Sequence, residues 1–160
     1  MPELQIRAMR AADLEEVFAL QCRAYPAAYH EPAAALASRL AAGPSFCLVA
    51  RQGGALAAYL FAHPWRGAPP ALHRPLNAAG GSDHVFLHDM AVAPEQRGLR
   101  CGVRLHAAFE AACRAGGASE IRLVAVGAAE GFWQTRGFVA QAAELPASYG
   151  AARLMTRVLA

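Results

Sequence analysis

The apolar positions change their period several times along the chain, and each change marks an element. Leu4 to Met9 alternates apolar and polar residues, the period of a half-buried strand. Asp13 opens a helix whose apolar face carries Leu14, Val17, Phe18 and Leu20, and Pro26 ends or bends it. A second helix is predicted from Pro32, since proline suits a first turn, to Ala41, ahead of Gly43-Pro44. Phe46 to Arg51 and Ala55 to Ala62 read as the strands of a hairpin joined by Gln52-Gly53-Gly54. Val85 to Val92 is a strongly apolar strand interrupted by His88 and Asp89, which strand alternation sends to opposite faces. A helix follows over Cys101 to Ala115, stopped by Gly116-Gly117. Ile121 to Val126 is a short buried strand, and Ala128 to Arg136 a helix closed by Gly137. Phe138 begins another strand, and Arg153 to Leu159 makes the last.

The order β-α-α-β-β-β-α-β-α-β-β predicts an α/β (α+β) fold, a mixed central sheet of about six to seven strands flanked by about four helices. With no repeat and no composition break, residues 1–160 are expected to form one domain. His63 to Asp83 stands apart: it has four prolines and three glycines and no period. Unstructured stretches of that length are uncommon, and this one reads as a lid, a binding loop or a mobile surface loop.

Composition narrows the class. At 56% hydrophobic and 17% charged, the chain is apolar enough to fold. Its 15 basic residues are all arginine, and the net charge is only +3. That scattered charge argues against nucleic acid and is compatible with a small anionic ligand. No apolar run approaches the roughly 18 residues of a membrane span, and the first ten residues lack a signal-peptide core. A cytoplasmic location is therefore expected. Cys22, Cys47, Cys101 and Cys113 form no C-x-x-C pair and fit no zinc spacing, so free thiols and no metal are expected.

Candidate chemistry concentrates in HDMAVAPEQRGLRCGVRLHAAF, residues 88 to 109. A buried strand feeds a loop carrying Arg97, Gly98, Arg100 and Gly102, which opens into a helix. The first amides of a helix lack internal partners, and the helix dipole favours an anion there. Glycines allow close approach, and the arginines add charge. The arrangement suits a phosphate or pyrophosphate, with an ordinary turn and helix cap as the other reading. It matches neither the P-loop nor the dinucleotide glycine pattern.

The strand, MAV, Pro-Glu, QRGLRCGVRL and then GFWQTRGFV resemble the core of the GNAT N-acyltransferases, including uncharacterised bacterial members with a His-Pro-Trp loop. The family signature Q/R-x-x-G-x-G/A falls on Arg97-Gly98-Leu99-Arg100-Cys101-Gly102, with Arg100 in place of the first glycine. An aromatic pair, Phe132-Trp133, precedes Gly137-Phe138. The resemblance implies acetyl-CoA as co-substrate. Met90, Ala91 and Val92 would lie along the pantetheine arm. Arg97 and the amides of Gly98, Leu99, Arg100, Cys101, Gly102 and Val103 would surround the pyrophosphate, and Phe132 and Trp133 would flank the arm near the thioester. It implies direct acyl transfer to a small-molecule or peptide amine; the alternative is a CoA-binding sensor or regulatory module without chemistry. A homodimer is left open.

Two catalytic candidates follow. His88 is suited by its ordinary pKa to take the amine proton. Trp133 stands where many members carry a tyrosine that protonates the leaving thiolate, and an indole cannot do so; Tyr149 is the candidate instead. Gly127 stands where many members have a cofactor-touching asparagine. Cys101, at a helix start, reads as a structural or cofactor-shell residue. Tyr25 to Tyr29 and the His63–Asp83 loop are expected to shape the acceptor pocket.

Overall fold

The computed structural model describes residues 3–77, 81–98 and 100–159. Seven strands, β1 (Leu4–Ala8), β2 (Leu48–Gln52), β3 (Ala55–Trp65), β4 (His84–Val92), β5 (Glu120–Val126), β6 (Val139–Gln141) and β7 (Ala152–Val158), form one sheet in the order β1-β2-β3-β4-β5-β7-β6. Every neighbouring pair is antiparallel except β4 and β5. Four α-helices pack on it: α1 (Leu14–Ala24), α2 (Ala33–Ala42), α3 (Cys101–Ala115) and α4 (Glu130–Thr135). The element order is the expected one, and the sheet is mixed.

Two cores share the sheet. On one face, Cys101, Leu105, Phe109 and Cys113 of α3 pack with Trp133 and Phe138 against Leu60, Leu87 and Leu123. Their four-residue spacing along α3 makes a single stripe, and burying each large apolar side chain contributes about 1.5–3 kcal/mol. On the other face, Val17 and Leu20 of α1 and Leu36 of α2 meet Val49, Tyr59, Phe61 and Ala91. Central β3 is covered on both faces, so Ala57 to His63 is buried without a break.

Three expectations change. Phe18 lies at the margin of the α1 stripe and is 38% exposed. Asp13 ends a 3-10 turn ahead of α1, and its carboxylate clamps β1 and β2 to that turn. It accepts from Arg7 at 2.8 Å, Arg51 at 3.0 Å and the Arg10 amide at 2.8 Å, and the Arg7 contact holds its pKa well below the usual carboxylate range. β3 also runs on to Trp65, three residues further than expected. Pro64 is tolerated there because the β2 ladder ends at Leu48 opposite Leu60, leaving one side of β3 without a strand partner.

Candidate active site

The site begins where β4 and β5 part. Their parallel ladder joins Val85 to Ile121, Phe86 to Arg122 and Leu87 to Leu123, and goes no further. At that point β4 also carries a bulge: Asp89 pairs with Phe61 and Leu87 with Ala62, so His88 is the extra residue. An inserted residue shifts the alternation by one. Val85 and Leu87 face the α3 core, and Met90 and Val92 pack against that same core. Between them, His88 and Asp89 both turn toward the α1–α2 face. His88 stacks near Phe86 and His63, with centroids 5.1 and 5.5 Å away, and Asp89 accepts from the Tyr59 hydroxyl at 2.8 Å. The expectation that the two residues face opposite ways is therefore wrong, and the bulge is the reason.

Two cavities flank the parted strands. The outer one, a groove of about 490 Å³, runs between the end of β4 and the start of α3. Met90, Ala91, Val92, Arg97, Gly98, Arg100, Cys101, Gly102, Val103 and Phe132 line it, with Tyr25 closing one side. Leu99 lies outside the described residues. Arg100 precedes α3 with φ 61° and ψ 16°, left-handed values that favour glycine. The first helical bond runs from the Arg104 amide to the Arg100 carbonyl at 3.0 Å. A Cβ on Gly102 would meet Val92 at 3.4 Å, Met90 at 3.5 Å and Phe132 at 3.8 Å, so the absent side chain leaves the helix start open to the groove. Burial raises the Cys101 thiol despite its place at a helix N-terminus. An unpaired strand edge, apolar walls and a helix start with two exposed arginines fit an amide-bearing arm that ends in phosphates.

The inner cavity, about 210 Å³, lies on the β5 side of β4 and meets the groove at Tyr25, Met90 and Phe132. Trp133 lines this cavity and not the groove. Its ring belongs to an aromatic cluster with Phe132, Phe138 and His106 at centroid distances of 4.9, 5.5 and 5.7 Å. His88 and Asp89 stand on the wall. Neither ring nitrogen of His88 has a hydrogen-bond partner among the described residues. Burial, reinforced by Arg39 and His63, lowers its pKa well below the ordinary imidazole value. Burial raises Asp89, against the hydrogen bond from Tyr59. Tyr149 also lines the cavity, but its hydroxyl donates to the Pro70 carbonyl at 2.6 Å, and burial raises its pKa.

Tyr25 and Tyr29, expected near this pocket, do line it, and the Tyr25 hydroxyl donates to the Met90 carbonyl at 2.8 Å. Sequence reasoning missed Glu31. It lines the cavity at 3% exposure and lies 2.9 Å from fully buried Arg39. Nothing in its neighbourhood, His30-Glu31-Pro32, signals that position. Among the described residues no helix is long and apolar enough to cross a membrane.

The Ard1 structure from Thermoplasma volcanium superposes with a TM-score of 0.78 at 19% identity, covering 98% of each chain. The loading GNATL domain of CurA from Lyngbya majuscula gives 0.81 at 12% identity, again over 98% of each chain. The PaiA N-acetyltransferase of Thermoplasma acidophilum, in complex with coenzyme A, gives 0.73 at 16% identity, over 98% of this chain and 99% of that one. At such identities these likenesses establish the fold. No curated protein sequence matches the chain. The model of the acetyltransferase (GNAT) family matches residues 14–138, most of the chain and both walls of the groove. The chain therefore belongs to the GNAT acetyltransferase family, a family of acyltransferases.

Proposed function

We propose that this protein transfers an acyl group, acetyl as the first candidate, from acyl-CoA to an amine, with the outer groove holding the donor and the inner cavity the acceptor. The observation that carries the reading is the parting of β4 from β5 after Leu87 and Leu123, with the two cavities meeting there at Tyr25, Met90 and Phe132.

Acetyl-CoA supplies an activated acyl thioester. Met90 and Val92 offer strand edge to its amide-bearing arm, and the α3 start with Arg97 and Arg100 receives its phosphates. The backbone amide at Val92 is the candidate donor to the developing oxyanion. His88 takes the proton that the amine must lose. Its lowered pKa keeps the imidazole neutral and its lone pair available at neutral pH. As nitrogen bonds to the carbonyl its N–H becomes strongly acidic, so a weak base suffices. Of the tyrosines on the cavity wall, Tyr25 and Tyr149 are the candidates to protonate the leaving thiolate. Each hydroxyl donates to a backbone carbonyl, Tyr25 to Met90 and Tyr149 to Pro70, but Tyr25 borders both cavities and Tyr149 only the inner one. Tyr25 is the better-placed donor.

The test pairs binding with turnover. Acetyl-CoA should raise the melting temperature more than acetyl-pantetheine, which lacks the nucleotide phosphates, and thiol release should depend on an added amine. Stabilisation without turnover on a broad amine panel would make the protein a CoA-binding module. Stabilisation by simple phosphates and not by CoA would defeat both readings.

A further inference from the structure

Residues 70–76 of the β3–β4 connection lie against the inner cavity, and side chains from three other segments fasten them. Glu31 Oε2 accepts from the His73 amide at 2.6 Å, Ser38 Oγ from the Leu76 amide at 3.0 Å and Ser148 Oγ from the Leu72 amide at 3.1 Å. The Tyr149 hydroxyl donates to the Pro70 carbonyl at 2.6 Å. His73 is held at φ 72°, a left-handed conformation costly for a non-glycine residue. Between these fasteners Leu72, 8% exposed, forms part of the cavity wall.

The fastening is itself anchored. Gln21 clasps the Glu31 backbone, donating to its carbonyl at 3.0 Å and accepting from its amide at 2.8 Å. Arg39, fully buried, sets its Nη2 2.9 Å from Glu31 Oε1, yet that oxygen accepts no well-formed hydrogen bond. Such a buried, under-satisfied carboxylate is costly unless something else completes it.

The cavity under this cover is small. At about 210 Å³ it falls below the roughly 300–1,000 Å³ of pockets for drug-sized ligands. A polypeptide terminus needs an opening through which the rest of its chain leaves, and Leu72 and Tyr149, fastened through Ser148 and Pro70, line this cavity and not the groove. The charged side chains of the wall are Glu31 and Asp89, both carboxylates. Tyr25, Tyr29, Phe132 and Trp133 add aromatic side chains to the wall, a residue type that can attract a cation. An acceptor carboxylate would find no cationic partner on this wall, because Arg39 pairs with Glu31 and does not line the cavity.

We propose that the acceptor is a small free primary amine with a compact apolar body and no carboxylate, bound whole beneath the fastened β3–β4 connection, rather than the terminus of a polypeptide. This rests on the acyltransferase reading above and adds the class of acceptor to it.

The experiment measures thiol release from acetyl-CoA with a panel of small alkyl- and arylalkylamines, with phenylalanine beside 2-phenylethylamine as its carboxylate-bearing match, and with a short peptide beginning with phenylalanine. The best small amine should exceed both phenylalanine and the peptide by at least about tenfold in kcat/KM, the worth of a modest pocket mismatch. Ser148→Ala and Leu72→Ala should each narrow the gap between amine and peptide. If Leu72→Ala does not fold, Ser148→Ala, which deletes a single hydroxyl, carries the comparison. Peptide turnover equal to that of the small amines overturns the proposal, as does a preference for phenylalanine or a gap that folded variants leave unchanged. No turnover of any small amine, while acetyl-CoA still raises the melting temperature, defeats the acceptor class alone. Loss of acetyl-CoA stabilisation defeats the reading beneath it.

Discussion

The outer groove takes most of its wall from one stretch, Met90 to Val103, with Ala24, Tyr25 and Phe132 added from outside. The inner cavity draws Tyr25, Glu31, Leu72, His88, Val124, Trp133 and Tyr149 from separate segments. The groove presents strand edge and helix amides, groups every residue carries. The cavity presents particular side chains and buries several ionisable ones. Substitutions should therefore behave differently in the two regions. A substitution in the groove should matter chiefly where it adds bulk or charge, whereas one in the cavity should matter through the side chain it removes.

The largest effect should come from His88→Ala. If His88 takes the amine proton, kcat should fall about 10²–10⁴-fold, and the dissociation constant for acetyl-CoA should stay within a few-fold. The pH profile carries a sign. Burial lowers the pKa of His88, so the imidazole stays neutral as pH falls past the ordinary histidine range. Activity owed to it is lost only below that lowered value. The wild-type rate should thus show no limb near pH 6.5, the ordinary imidazole value. A carboxylate raised by burial, as at Asp89, would lose activity from a higher pH than an ordinary one. If Asp89→Asn abolishes turnover and His88→Ala leaves it intact per folded molecule, the proton goes to Asp89.

Gly102→Asp tests the groove. The Cβ has room, its nearest neighbour being Val92 at 3.4 Å, so the fold should survive. The added carboxylate would face the bound phosphates at the positive end of α3. Loss of a charge-assisted contact worth about 1.5–3 kcal/mol corresponds to roughly 10- to 150-fold in affinity. Calorimetry with acetyl-CoA reads it, and unchanged affinity would mean that the phosphates lie elsewhere.

The contrast between continuous and scattered walls also explains what the sequence could disclose. Strand, loop and helix from residue 88 to 109 are neighbours in the chain, so their order and glycine spacing were readable before any fold was known. The element order was readable for the same reason, since each period is a local property. The bulge at His88 was not, because it is defined by the register of β4 against β3. Strict alternation consequently placed Asp89 on the wrong face. Glu31, Arg39 and Ser148 carry no local mark either: a charged residue beside a proline, an arginine on an alanine-rich helix and a loop serine all read as surface. Their roles exist only once α2, the β3–β4 connection and the β6–β7 connection converge.

Tyr149→Phe separates two roles by the parameter that moves. As a fastener of the β3–β4 connection, Tyr149 contributes one neutral hydrogen bond, worth about 0.5–1.5 kcal/mol. Its loss should raise KM for the amine by roughly two- to tenfold and lower the melting temperature slightly. As the proton donor to the thiolate, it would instead lower kcat with KM unchanged.

Arg100→Gly should have the smallest effect, and it is the sharpest test of a backbone-built groove. Arg100 holds φ 61°, a conformation glycine adopts freely. Relieving the left-handed strain returns about 1–2 kcal/mol, and the greater freedom of glycine in the unfolded chain takes back about 0.5–1 kcal/mol. A net gain of between zero and about 1.5 kcal/mol should raise the melting temperature by up to roughly 6 °C. Affinity for acetyl-CoA should fall by no more than about tenfold, the worth of one charged contact, because the amide at position 100 remains. A larger fall would mean that the guanidinium, and not the helix start, supplies most of the binding. The two regions would then both depend on individual side chains, differing only in which groups they bury.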